Sequence, residues 1–383
     1  MKLVSEDIYY VGVNDHSIDL FESQYIVPNG MAYNSYLILD DKIAIMDSVD
    51  LNFKDEWINN IKEVLKDKKP TYLIIHHMEP DHSANIISLV KEYPDIILVG
   101  NAKTFVMLDQ FFRGFEYQKL VVKENDVLDL GHHQLQFVMA PMVHWPEVMV
   151  SYDKDSKTLF SADAFGKFGA LDVNEDWACE ARRYYFGIVG KYGMQVQMLL
   201  KKLAPLPIER ICALHGPILD SNIDYYLNLY QIWSSYSVEA NGVFIAYSSV
   251  YGNTKKAVML LKEELEKNHI KVAISDLTRD DIAEAVEDAF KYGKLVIAST
   301  TYNAGVFPCV ESFISALKER NYQKRKIAII ENGTWAPNVI KTITAEFETS
   351  KDISFVEPFI SIKSSLDEKN IDDIKELAKA LLD

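Results

Sequence analysis

Residues 71–85 read TYLIIHHMEPDHSAN. The apolar start has the length and β-branched content of a buried strand. It then runs into His76, His77, Glu79, Asp81 and His82, five ionisable side chains within seven positions. A chain leaving a strand in extended form turns alternate residues to one side, so His77, Glu79 and Asp81, with His82 next to them, can converge on one point. The same grammar of apolar strand, ligand-type residue and turn recurs three times: His144 follows FVMAPMV, Asp163 follows TLFSA, and His215 follows RICAL.

These positions offer four imidazole nitrogens and three carboxylates, with no sulfur. Two metal ions sharing one carboxylate would each keep three further protein ligands and an open position, which a catalytic metal requires and a structural one lacks. Imidazole with carboxylate suits iron, zinc or manganese, and the lack of thiolate argues against an iron–sulfur cluster. A single histidine at a strand end is more often a satisfied or exposed side chain than a ligand. His16, His76, His132, His133 and His269 therefore stay outside the set.

The chain has 383 residues, 48% of them hydrophobic and 25% charged, which is globular composition at a length that favours two domains. A net charge of −16 argues against nucleic acid or an anionic membrane as partner. No apolar run approaches the ~20 residues of a membrane span. The N-terminus MKLVSEDIYYVGVNDHS lacks the apolar core of a secretory signal. Cys179, Cys212 and Cys309 are scattered without metal or disulfide spacing. A reduced, cytoplasmic setting is the expectation.

Residues 1–241 read as a mixed α/β region rich in antiparallel strand signals. MAYNSYLILDDKIAIMDSV gives two strands around the turn DDK, and FKDEWINNIKEVLKD places Trp57, Ile58, Ile61, Val64 and Leu65 on one helical face. A helix is expected from about Ala84, and one long helix over CEARRYYFGIVGKYGMQVQMLLKKL. From Gly242 to Asp383 strands alternate with helices (GVFIAYSS, TKKAVMLLKEELEKN, KVAISDL, DDIAEAVEDAFKY, KLVIAST, CVESFISALKERN, KIAIIEN), the rhythm of a doubly wound parallel sheet.

In this second half, Ser248, Ser249, Val250, Tyr251, Gly252, Asn253 and Thr254 lie between a strand and a helix start. Hydroxyls, a glycine and free backbone N–H groups suit one phosphate monoester; the glycine patterns of dinucleotide and nucleotide-triphosphate loops are absent. Two later strand ends fall on the same edge of the sheet, where ligands of such folds bind. They carry Thr301, Tyr302, Asn303, Ala304 and Gly305, then Asn332, Gly333, Thr334 and Trp335. Tyr302 and Trp335, in Gly/Asn loops, are candidates for stacking on a planar ligand.

The first pattern resembles the metallo-β-lactamase fold, with its His-x-His-x-Asp-His run followed by His, Asp and His. Here Glu79 replaces the second histidine, as in the flavodiiron proteins; an anionic oxygen donor favours the Fe(III) state that a redox site must visit. The three loops of the second half resemble the flavodoxin-like module of the same proteins, and the resemblance covers essentially the whole chain. It implies an N-terminal metallo-β-lactamase-like αββα sandwich, residues 1–241, and a C-terminal flavodoxin-like doubly wound sheet, residues 242–383. It implies His77, Glu79 and His144 on one iron, Asp81, His82 and His215 on the other, and Asp163 bridging, with no catalytic residue beyond these ligands. FMN would rest its phosphate on 248–254 and its ring between Tyr302 and Trp335. Two departures are Thr300, where proline is expected, and Ala304, where glycine is common. The Asp163–His215 interval is also shorter than in many members.

The implied activity is reduction of O2 to water, NO to N2O, or both. Two irons and one flavin store four electrons, the number that turns O2 into two waters. The implied donor is rubredoxin or a reduced deazaflavin, and the implied assembly is a head-to-tail homodimer or a tetramer built from it. The alternatives are a zinc hydrolase on the same scaffold, against which Glu79 and the second half speak, and a plain electron carrier, against which seven intact ligand types speak.

Overall fold

The computed structural model describes residues 2–382. The chain divides into two compact units, Met1–Gln231 and Ile232–Asp383. This boundary falls ten residues before the one the sequence suggests, and each unit has its own core.

The first unit is an αββα sandwich. One sheet has seven strands, in the spatial order Lys2–Ser5, Ile8–Tyr10, Tyr36–Ile38, Ala44–Met46, Tyr72–Ile74, Ile97–Gly100 and Gln118–Val121. Its first four strands pair antiparallel, with DDK turning the chain between Tyr36–Ile38 and Ala44–Met46, and the rest pair parallel. The second sheet has five strands: Val127–Asp129, Gln134–Met139, Met149–Asp153, Thr158–Phe160 and Arg210–Cys212. Ile38, Met46, Ile74 and Val99 of the first sheet meet Phe137, Met149, Phe160 and Cys212 of the second in one buried cluster. The helix Lys54–Leu65 buries the five apolar residues its 3.6-residue spacing aligns, Trp57, Ile58, Ile61, Val64 and Leu65.

Two elements differ from their sequence reading. Extended backbone ends at Glu79 (φ −60°, ψ 139°), and a short helix Pro80–Ser83 begins there, before a second helix Ile86–Glu92. Proline at the first helical position, with its φ fixed near the helical value, starts that turn. His77 and Glu79 thus project from extended chain, and Asp81 and His82 from a helical turn.

The long helix is interrupted. Trp177–Tyr184 passes through a π-helical turn, Tyr185–Val189, and a 3₁₀ turn, Gly190–Tyr192, before Gly193–Leu203 resumes. The wider turn places Gly187 against the Tyr25 ring, 3.0 Å from where a Cβ would sit, and Tyr25 Oη donates to the Gly187 carbonyl at 2.8 Å. Here packing outweighs the regular helical repeat.

The second unit is a doubly wound parallel sheet. Its order is Val272–Asp276, Ala240–Tyr247, Tyr292–Thr300, Arg325–Asn332 and Ile353–Phe355, with Ile360–Ile362 also pairing Arg325–Asn332. All its pairings are parallel. Val243, Ile245, Val296 and Ile330 pack with Val258 and Leu261 of the helix Asn253–Lys267 and with Ile374 and Leu377 of Glu368–Ala380. The chain passes from Ala240–Tyr247 outward to Val272–Asp276 on one side and from Tyr292–Thr300 outward to Arg325–Asn332 on the other, so the C-terminal ends of these two neighbouring strands flank the crevice where such sheets bind ligands.

Candidate metal centre and flavin site

Seven side chains from four places along the first unit come together at the ends of its strands. His77, Glu79, His144 and Asp163 form one group and Asp81, His82 and His215 another, with ligand atoms in each group within 4.8 Å of one another. Asp163 faces both: Oδ2 lies 3.3 Å from His77 Nε2 and 3.0 Å from His144 Nε2, and Oδ1 lies 3.8 Å from His215 Nε2. Glu79 Oε2 is 3.0 Å from His144 Nε2 and 3.2 Å from His77 Nε2, and Asp81 Oδ2 is 3.3 Å from His215 Nε2. The backbone beside these ligands is unusual. Met142 (φ 66°) and Ala162 (φ 51°) are left-handed just before His144 and Asp163, a conformation that costs on the order of 1–2 kcal/mol per residue and is kept where the surroundings dictate it.

The donor chemistry fits metal ions. His82 Nδ1 and His215 Nδ1 face the carbonyls of Ser48 and Ala32 at 3.2 and 2.8 Å. A carbonyl only accepts, so each Nδ1 carries the hydrogen and each Nε2 presents a lone pair. Those two Nε2 atoms lie 3.2 Å apart, and His77 and His144 Nε2 lie 3.4 Å apart. At His82 and His215, lone pairs brought so close repel unless a cation or a shared proton lies between them, and in both pairs the separation is close to that of two donors about 2.1 Å from one ion. Both oxygens of Asp81 and Oδ1 of Asp163 are buried without a hydrogen bond among the described residues, the condition of carboxylates oriented for a cation.

Without metal, charge in the cluster is settled by protons. Burial disfavours ionised Glu79 and Asp163, yet the imidazoles around them hold both carboxyls below the usual range. Burial likewise opposes a charged His144, but Asp163 and Glu79 carry its pKa up to about 9. Metal binding therefore displaces protons from this site.

Aromatic rings wall the cluster. Tyr33 lies 6.1 and 6.0 Å from the His82 and His215 ring centres, Trp145 5.2 Å from His77, and Phe21 5.3 Å from His215. Phe168 stands one layer out, against Phe21 and Tyr184.

The five other histidines have other partners. His76 is buried, with Nδ1 2.5 Å from Asp47 Oδ2 and Nε2 2.8 Å from Ser151 Oγ. All three residues of this Ser–His–Asp row are at most 1% exposed, so no substrate reaches it. His133 pairs with Asp153, and the exposed His132 and His16 with Asp155 and Asp172. His269 takes a left-handed conformation just past the helix Asn253–Lys267.

Two carboxylates escaped the sequence reading. Glu147 lies 2.9 Å from His77 Nδ1, seventy positions away in the chain. Glu22, at the tip of the hairpin Leu20–Phe21/Tyr25–Ile26, approaches Glu79; partial burial and the neighbouring Glu79 charge raise its pKa to about 7. Local pattern could not link either residue to a ligand so distant in sequence.

In the second unit a cavity of about 600 Å³ opens at the strand ends. Of the residues expected there, it is lined by Ser249, Val250, Tyr251, Asn253, Thr254, Thr301, Tyr302, Asn303, Ala304, Asn332, Gly333, Thr334 and Trp335. Ser248 is buried beneath it, bonded to Ser299, and Gly252 and Gly305 shape the loops without lining it. Thr300, Ala336 and Ser364 join the lining, Ser364 by following the strand Ile360–Ile362.

The loop leads into a helix N-terminus, the end that favours an anion. Gly252 (φ 88°) precedes the helix Asn253–Lys267, and Ser249 Oγ accepts from the N–H groups of Gly252 and Lys255. Space is open around Gly252. Asn303 (φ 47°) and Ala304 (φ 63°) form a two-residue left-handed turn closed by Tyr302 and Gly305, and Asn338 Nδ2 holds the Ala304 carbonyl at 2.7 Å. Tyr251 and Trp335 are 93% and 81% exposed, so neither serves as a core anchor. A phosphate cradle beneath projecting rings fits a flavin mononucleotide.

Comparison with known proteins agrees with this architecture. Residues 31–216 match the ODP family beta lactamase, and residues 244–353 a flavodoxin domain. An uncharacterised protein of Methanocaldococcus jannaschii is 30% identical over 318 residues, 82% of this chain and 80% of its own length. The anaerobic nitric oxide reductase flavorubredoxin of Salmonella paratyphi B is 25% identical over 361 residues, 90% of this chain and 75% of its own. In fold, the rubredoxin oxygen:oxidoreductase of Desulfovibrio gigas superposes with a TM-score of 0.91 at 23% identity, covering 99% of this chain and 97% of that one. With its lactamase-like domain followed by a flavodoxin domain, the chain belongs to the flavodiiron proteins, oxidoreductases that pair a non-haem diiron centre with FMN.

Proposed function

We propose that this chain reduces O2 to water, NO to N2O, or both, at two irons supplied with electrons through FMN. The observation that carries this reading is the two-lobed cluster straddled by Asp163, with Nε2 atoms facing one another at 3.2 and 3.4 Å and unsatisfied carboxylate oxygens, in one chain with a cavity at the strand ends of a flavodoxin-like sheet. His77, Glu79 and His144 hold one iron, Asp81, His82 and His215 the other, and Asp163 spans them. The 248–254 loop binds the FMN phosphate, and the loops of Tyr302 and Trp335 border its ring.

Bound irons and flavin together supply four electrons, the requirement of O2 + 4e⁻ + 4H⁺ → 2H2O; 2NO + 2e⁻ + 2H⁺ → N2O + H2O requires two. The chain's own residues set the conditions. Tyr33, Trp145 and Phe21 restrict water around the cluster, and the acceptors at Nδ1 of His77, His82 and His215 keep their Nε2 atoms aimed inward. Rubredoxin is the proposed donor, supported by the names of the two relatives whose activity is stated, with a reduced deazaflavin as the other candidate. The proposed assembly is a head-to-tail homodimer in the cytoplasm, because it brings one subunit's flavin to the other's irons. Among the described residues no helix is long and apolar enough to cross a membrane.

The test is anaerobic purification, metal and flavin analysis, and reduction through rubredoxin and its reductase, with O2 and NO followed by electrode. Two irons and one FMN per chain, with loss of either gas, are expected; the faster gas identifies the substrate. Zinc in place of iron and no consumption of either gas would overturn the reading.

A further inference from the structure

The two metal positions are backed differently. Behind His82 and His215 stand neutral carbonyls, those of Ser48 and Ala32. Behind His77 stands a carboxylate: Glu147 Oε1, 2.9 Å from Nδ1. No acceptor faces His144 Nδ1 among the described residues.

Glu147 is set firmly. It is 1% exposed, and its Oε1 also accepts from the Met78 N–H at 2.8 Å. Its carbonyl accepts from the side-chain amide of Asn101, which also caps the helix Ala102–Phe111 by accepting from the N–H groups of Lys103 and Thr104. Oε2 is buried with no hydrogen-bond partner, and among the described residues no lysine or arginine pairs with the carboxylate. Its one ionisable partner is therefore His77. A carboxylate accepting the distal N–H of a metal-bound imidazole raises that ligand's basicity, and an uncompensated charge acts strongly in a dry interior.

We propose that Glu147 makes the two metal positions unequal, so that the iron at His77, Glu79 and His144 gives up an electron before the iron at Asp81, His82 and His215. This rests on the diiron reading above. Asp163 is common to both positions, and each has one further carboxylate ligand, Glu79 or Asp81. Glu22 also approaches Glu79 from the hairpin, but the charge that is fully buried and bonded to a ligand's distal N–H is the one behind His77, and it stabilises the ferric state there. One-electron oxidation of the diferrous protein then yields Fe(III) beside His77 and Fe(II) beside His82, the electron leaving to an added redox mediator. Glu147 acts as a positioning residue, since it reaches the metal only through His77.

The experiment is a mediated redox titration of ⁵⁷Fe-loaded holoprotein, wild type and Glu147→Gln, followed by Mössbauer and EPR spectroscopy. Glutamine keeps an oxygen for the His77 N–H and removes the charge. The expected result is a selective rise of the first midpoint by about 59 mV or more, tenfold in a one-electron equilibrium, and about 10-fold weaker iron binding. Glu147→Asp keeps the charge and lengthens the contact, so a smaller rise in the same direction is expected; it also serves if the glutamine variant does not fold. Two bound irons with an unchanged first midpoint, or with both midpoints shifted equally, overturns the proposal and leaves Glu147 a peg for its loop. A wild-type protein that does not bind two irons defeats the diiron reading instead, so the two failures are distinguishable.

Discussion

The metal cluster and the flavin cavity represent two ways of building a site. The cluster takes seven side chains from segments up to 138 positions apart (His77 to His215), and five of them are buried. Its function lies in side-chain atoms whose identity is fixed by ligand chemistry. The flavin cavity takes three loops from neighbouring strands of one sheet, with Ser364 beside them, and leaves Tyr251 and Trp335 almost fully exposed. A buried cluster of carboxylates and imidazoles must be assembled with its charge balanced by protons or metal, whereas a crevice at a sheet edge exists before any ligand arrives. The first is accordingly intolerant of substitution and the second graded.

The largest contrast is expected from Asp163→Ala. Losing the carboxylate that faces both groups should weaken iron binding by more than ~100-fold, beyond the loss typical of an outer-sphere partner. FMN content should be unchanged, as metal analysis and the flavin absorption spectrum would show. Joint loss of iron and flavin would mean that the two sites do not fold independently.

Trp335→Ala probes the graded side. The ring is 81% exposed, so the fold should hold, and removing a stacking contact of about 0.5–1.5 kcal/mol should weaken FMN binding roughly two- to tenfold. Flavin fluorescence titration of the apoprotein measures this, with iron content as the control. An unchanged affinity would place the flavin ring elsewhere in the cavity.

Gly252→Ala is a smaller perturbation. Nothing would touch the new Cβ, so the cost is the left-handed backbone alone (φ 88°), about 1 kcal/mol. Thermal unfolding should show a correspondingly small loss, and FMN should partly restore it by mass action.

The smallest effect is expected far from both sites. Burial opposes charge on His133, but Asp153, with Oδ2 2.8 Å from its Nδ1, and nearby Asp40 raise its pKa; burial works against ionised Asp153 too, and His133 and Ser156 lower it. A raised histidine contributes stability that is complete below its unfolded pKa, about 6.5, and lost as pH rises through the folded value. A lowered aspartate contributes above about 3.9 and loses this as pH falls through its folded value. His133→Gln should therefore destabilise by about 0.5–1 kcal/mol between roughly pH 4 and 6.5, and by less at higher pH. Melting temperatures across that range would show it; a pH-independent difference would reduce the pair to packing.

Much of the fold was legible because it is written in local periodicity. The helix Lys54–Leu65 buries the five residues its spacing aligns, and the alternation after Gly242 became a parallel sheet with the expected loops at one edge. What failed depended on neighbours distant in sequence. Gly187 widens its helix because Tyr25 packs there, and local pattern carries no trace of that contact. Pro80 did offer a local signal, a helix start before Asp81 and His82, which the alternation of ligand residues outweighed.

By itself, then, the sequence determined the ligand types and their order, the two-domain plan, and the strand-end positions of both sites, because each follows from residue identity and short-range spacing. The grouping of the seven side chains and the central place of Asp163 were implied by family resemblance and not by spacing, and the folded chain has the same grouping. Tertiary structure alone decided that Glu147 stands behind His77 while carbonyls stand behind His82 and His215. Those are distances across folded chain, set by how two sheets pack, and no periodicity records them.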